Sequence, residues 1–119
     1  MKVAVSSLGP TLDDPVDEHF GRAMWFVVAD TDLDGFEAID NAANRNALQG
    51  AGIASAELIS GQGVAAVITG HLGPKAFSAL GAARISGYDG AGMTVRAALA
   101  AFAEGDLGAL DEAGEAHSG

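Results

Sequence analysis

Two histidines and three basic residues carry the chemistry open to this chain. His19 and Arg22 lie in DEHFGR (17–22), His71 and Lys75 in GHLGPKA (70–76), and Arg96 in GAGMTVRA (90–97). A neutral imidazole ligates metal through a ring nitrogen, and a protonated one donates to an anion. Gly-rich turns that open helices present free backbone N–H groups. The partial positive charge of a helix start then favours an anion. Gly70 and Gly73 sit in the first such turn and Gly90 and Gly92 in the second, with Thr94 placed to cap the helix that follows. Only six residues are Lys or Arg against sixteen acids, for a net charge of −10. Arg22, Lys75 and Arg96 all fall in these segments, which marks a local positive site on a repelling surface. A plainer reading stands beside this one. Each histidine alone reads as a surface or hydrogen-bonding residue, and the cations read as helix-face pairs.

For these segments to meet, the strands before them must present their carboxyl ends together. KVAVSS (2–7) reads as a first strand, MWFVVA (24–29) as a second and residues 36–39 as a third, with Asp34-Gly35 as the hairpin between the last two. Residues 64–69 and 84–88 give two further strands. NAANRN (41–46) reads as a loop. Helical spacing of apolar residues predicts helices over 48–60 and 74–83, and a third after Thr94. Pro74 suits a first helical position, where its missing N–H costs nothing. Trp25 and Phe26 read as core. The order βββαβαβα predicts a mixed five-stranded sheet of order 3-2-1-4-5, with strand 2 antiparallel and helices on both faces: a three-layer α/β/α domain over 1–105. Residues 106–119 read as an acidic flexible tail, with fraying from Glu104 and His117 incidental.

The composition also excludes. There is no Cys, so no disulfide and no thiolate site. A metal must use His, carboxylate or backbone, or arrive with its own sulfur. The acidity argues against nucleic acid as a partner. No apolar run approaches the roughly 20 residues that span a bilayer, and the chain start reads as strand rather than signal peptide, so no membrane partner and a cytoplasmic location are expected. P-loop, dinucleotide-fingerprint and nucleophile-elbow motifs are missing. No nucleophile–base pair supports an enzyme acting on a small phosphorylated metabolite. The first strand carries no carboxylate, which excludes a two-metal nuclease.

DDPVDEHFGRA with the aromatic strand after it, VAAVITGHLGPKAFSAL and GAGMTVRAALAAF, in that order, resemble the dinitrogenase iron-molybdenum cofactor biosynthesis family. The similarity covers about residues 1 to 105. It implies a ribonuclease-H-like α/β/α fold without nuclease activity. It also implies a non-catalytic carrier of a non-covalently bound metal–sulfur cluster. That cluster is an iron–molybdenum cofactor precursor in some members and a molybdenum–copper sulfide in the orange-protein branch. Such a cluster is a bulky anion whose sulfurs accept hydrogen bonds. The resemblance gives His19, Phe20, Gly21 and Arg22 of the EHFGR-like motif a role in holding it. The two strand-to-helix turns add Gly70, His71, Gly73, Lys75, Gly90, Gly92 and Thr94 as cofactor-binding positions, with His19 and His71 as the metal contacts. The alternative is a regulatory or adaptor domain, without a cluster, that docks on a cofactor-assembly or ATPase partner.

Overall fold

Val3 to Ser7 are all buried, so the first strand has to run through the middle of the sheet with cover on both faces. A computed structural model of the protein, which describes residues 1–32 and 35–111, shows this arrangement. The strands are β1 (Lys2–Ser7), β2 (Trp25–Asp30), β3 (Phe36–Asp40), β4 (Ala66–Thr69) and β5 (Ser86–Asp89). They lie in the order β3-β2-β1-β4-β5. β1 pairs antiparallel with β2 and parallel with β4; β2–β3 is antiparallel and β4–β5 parallel. This is the sheet expected from the sequence. The helices are α1 (Ala42–Arg45), α2 (Ala51–Ser60), α3 (Pro74–Ala82) and α4 (Val95–Ala103).

Side-chain alternation along the strands divides the core in two. Ala4, Phe26, Val28 and Val67 face Ala56 and Ile59 of α2 and Ala76 and Leu80 of α3. Val3, Val5, Val27, Ala66 and Ile68 face Val95 and Ala98 of α4. The result is three layers. Among the described residues no helix is long and apolar enough to cross a membrane.

Several boundaries differ from expectation. Residues 42–45 of NAANRN form the short helix α1 rather than loop. α2 begins at Ala51 and not at residue 48, because Gly50 is left-handed (φ 79°) and breaks the helix there. β4 begins at Ala66 rather than residue 64. β5 begins at Ser86, since Arg84 has φ 61° and cannot continue a strand. Phe26 is fully buried, but Trp25 is only half-buried. The chain after α4 stays packed at the point where a tail was expected. Asp89 N donates to Gly108 O (2.9 Å) and Leu110 N to Gly87 O (2.8 Å), which lays residues 108–110 along the outer edge of β5. Residues 112–119, His117 among them, lie outside the described residues, as does Asp34 of the expected Asp34-Gly35 turn.

Candidate functional site

Residues 8–22 leave the carboxyl end of β1 and split into two halves with different tasks. The first half fastens the turn between β5 and α4. Val16 N donates to Met93 O (2.9 Å), Val95 N to Asp14 O (2.9 Å) and Arg96 N to Leu12 O (2.8 Å). Thr94 Oγ1 accepts from Ala97 N (3.1 Å), capping its own helix as the sequence predicts. Arg96 Nε donates to Asp13 Oδ1 (3.1 Å), both side chains exposed. A Cβ on Gly90 would come within 2.5 Å of Ile68 Cγ2, and Gly92 has φ 83°. Gly90, Gly92, Thr94 and Arg96 are thus occupied in building this turn, and the N–H groups at the start of α4 are already satisfied.

The second half crosses the end of β4. Asp17 is buried, and its carbonyl oxygen accepts from Ser6 Oγ (2.6 Å) and lies 3.3 Å from Thr69 Oγ1. The Ser6 and Thr69 hydroxyls lie 2.7 Å apart, both fully buried, at the ends of β1 and β4. The Asp17 carboxylate accepts from His19 N (3.0 Å) and so fixes the next turn. His19 and His71 then pair through a parallel backbone bridge. Gly70 is what admits this crossing. A Cβ there would lie 2.7 Å from Glu18 Cβ and 2.9 Å from Glu18 Cα.

Phe20 anchors the loop from below. It is buried, with its ring 5.3 Å from that of Phe26. Complete burial of a phenylalanine is worth about 1.5–3 kcal/mol. Gly21 lies flat against α2, where an added Cβ would sit 2.8 Å from Gly52 Cα and 2.9 Å from Gly52 N. A Cβ on Gly52 would in turn lie 3.1 Å from Ala76 Cβ. The first turns of α2 and α3 therefore meet against Gly21, two residues after His19. Neither N-cap, Gly50 or Gly73, supplies a side-chain cap, and the first N–H groups of a helix have no partner within it. Lys75 is exposed on the first turn of α3.

The two imidazoles differ. His19 is exposed, whereas His71 is half-buried with its Nε2 fully enclosed and without a hydrogen-bond partner. Arg22 does not stand free. Its Nη1 donates to Arg45 O (2.6 Å) and Ala47 O (3.0 Å), the carbonyls at the end of α1 and just beyond it. Glu18, beside Gly70, is the nearest exposed acid in the crossing loop. Residues 41–56 and 70–88, which hold α1, the first six residues of α2, and α3, contain Arg45, Lys75 and Arg84 and no acid; Glu57 lies further along α2.

A buried polar network that the sequence reading passed over holds this half of the loop. Asn41 Nδ2 donates to Ala23 O (2.9 Å) and Ser55 Oγ (3.1 Å), and Ser55 Oγ donates to Gly21 O (3.1 Å). Asn44 Nδ2 donates back to Asn41 Oδ1 (2.9 Å). The readable signal was Ser55, a hydroxyl standing between Ala51 and Ile59 on the buried stripe of α2.

No group of three or more His, Asp or Glu residues is arranged around a metal position among the described residues. Two imidazoles, two uncapped helix starts and a lysine remain. An apolar groove of about 270 Å³ lies elsewhere, beside β5, lined by Leu72, Phe77, Leu80, Ile85, Tyr88 and Leu110, and includes neither histidine.

Comparison with known proteins places this architecture. Residues 1–105 match the family model described as dinitrogenase iron-molybdenum cofactor. An uncharacterized protein of Methanocaldococcus jannaschii is 33% identical over 110 residues, which are 90% of this chain and 89% of that protein. The apo form of the orange protein from Desulfovibrio gigas has the same fold with a TM-score of 0.92 at 39% identity, covering 96% of each chain. A NifB-related protein from Thermotoga follows with a TM-score of 0.84 and 32% identity, over 96% of this chain and 97% of the other. The chain belongs to the dinitrogenase iron-molybdenum cofactor family.

Proposed function

We propose that the protein is a non-catalytic carrier of a molybdenum-containing metal–sulfur cluster, either a molybdenum–copper sulfide or an iron–molybdenum cofactor precursor. The observation that carries this reading is the enclosed, unpartnered Nε2 of His71, two residues before the uncapped start of α3. A buried polar atom without a partner costs free energy that a ligand recovers. Imidazole nitrogen suits copper, and sulfide sulfurs accept hydrogen bonds from the N–H groups of Gly-rich helix starts. With two imidazoles and no thiolate, the protein grips weakly enough to hand the cluster on. His71 and His19 contact it, Gly73 leaves room for it, and Lys75 offsets its charge, while the space at Gly70 is taken by Glu18. Family membership and the likeness to the orange protein support a cofactor-related role. Proteins of cofactor assembly, or an associated ATPase, would deliver or receive the cargo.

The test is reconstitution. Metal-free protein mixed anaerobically with tetrathiomolybdate and copper, then desalted, should elute coloured, with visible charge-transfer bands and bound metal. The paired His19→Ala and His71→Ala substitution should weaken retention about ten- to hundredfold, the scale of losing one or two interactions with a charged group. Wild-type protein that elutes colourless would remove the carrier reading and favour the adaptor.

A further inference from the structure

Arg22 and Leu48 are each out of place for the roles their types suggest. Arg22 belongs to the motif expected to face an anion, yet its guanidinium is held by two neutral carbonyls, Arg45 O and Ala47 O. Leu48, one residue further on, is 98% exposed. A leucine held fully in water gains by any rearrangement that covers it. Between α1 and α2, Leu48 and Gln49 make no backbone hydrogen bond among the described residues. Backbone bonds hold the segment at its ends, where Ala47 N donates to Asn44 O (3.1 Å) and Gly50 O accepts from Ala54 N (3.0 Å). Gly50, left-handed at φ 79°, forms the hinge at its far end. Close by, Ile53 is 38% exposed and, with Pro74 and Lys75, lines a shallow groove of about 470 Å³ between α2 and α3.

We propose that Arg22 is a latch and residues 46–50 a lid over the cargo. This rests on the carrier reading. In the empty protein Arg22 holds the segment back by its two carbonyls. A cluster anion beside His19 competes for the same guanidinium and wins, because it adds the Coulomb attraction of a full negative charge to a bond that is charge-assisted with either partner. The two carbonyls are released, the segment turns about Gly50, and Leu48 settles over the cluster and excludes water from it. Arg22 is thus a positioning residue for the lid before loading and an anion contact after it.

Hydrogen exchange of the peptide carrying residues 46–50 tests the latch without any cluster. In metal-free protein, Arg22→Gln should raise exchange of the Asn46 and Ala47 amides, which donate to Ala42 O and Asn44 O, about tenfold, the value of one hydrogen-bonded tether of about 1.4 kcal/mol. Arg22→Lys, which keeps the charge but loses the fork, should raise it less. Equal exchange in wild type and Arg22→Gln overturns the latch. Loading with tetrathiomolybdate and copper should then slow exchange at 46–50 in wild type. Leu48→Ser, at a position too exposed to affect folding, should release the cluster about tenfold faster. Coloured protein whose 46–50 exchange is unchanged by loading, or whose release rate ignores Leu48→Ser, overturns the lid and leaves the carrier reading standing. Wild-type protein that takes up no colour overturns both.

Discussion

Gly21→Val is expected to lower the melting temperature by about 10 °C or more, the scale of about 3 kcal/mol lost from a domain of this size. Even the first added carbon would sit 2.8 Å from Gly52 Cα and 2.9 Å from Gly52 N. These are backbone atoms of a helix and cannot swing aside as a side-chain tip would. The loop or the whole of α2 has to move. Moving the loop drags Phe20 from the core and breaks the Ser55 bond to Gly21 O. Gly81→Ala is the contrast. It lies in α3, and its added Cβ meets nothing within 4 Å. Exchange of a helical glycine for alanine there should stabilise by about 0.5–1 kcal/mol. Thermal melts of both variants check the pair. A Gly21→Val protein that melts with wild type would mean that the loop does not lie on α2 as described.

Asn41→Ala should cost about 2–4 kcal/mol in urea denaturation. Asn41 is 1% exposed, and its loss strands Ala23 O and removes partners of Ser55 and Asn44 in a site that water does not reach. Ser55→Ala should cost less, about 1–2 kcal/mol, because Gly21 O alone loses its donor outright. The two losses should be less than additive, since each variant already breaks their shared bond. A change below about 0.5 kcal/mol for Asn41→Ala, the range of ordinary surface substitutions, would show that the network does not hold the loop.

The sheet was legible because its signals are local. KVAVSS, WFVVAD and AVIT are short, apolar and bounded by turn residues, and the two β-α-β crossovers permit few strand orders. Thr94 was legible for the same reason, as a cap one residue before an apolar helical stripe. The meeting of His19 with His71 followed from parallel strand ends and needed no knowledge of the loop. What stayed hidden depends on long-range packing. A guanidinium can bond an anion or a carbonyl, and only the placement of 45–47 shows that Arg22 takes the carbonyls. Gly90 and Gly92 look like an anion cradle in sequence. Their helix start is filled by Asp14 O and Leu12 O, which lie some 80 residues earlier in the chain. Gly21 and Gly52 look like helix or loop weaknesses until the backbones are seen in contact. Leu107 and Leu110 stand in a short run between Asp106 and Asp111, too brief to announce that they pack.

The account turns on the claim that the enclosed nitrogen of His71 is where cargo binds. Nitrogen-15 resonances of the imidazoles, followed as metal-free protein is loaded with tetrathiomolybdate and copper, address it directly. The chain has three histidines, and a His117→Ala background leaves His19 and His71 as its imidazoles. The account predicts that the Nε2 signal of His71 moves in step with the visible colour and that His19 follows. Protein that turns fully coloured while the His71 signals keep their metal-free positions would contradict it.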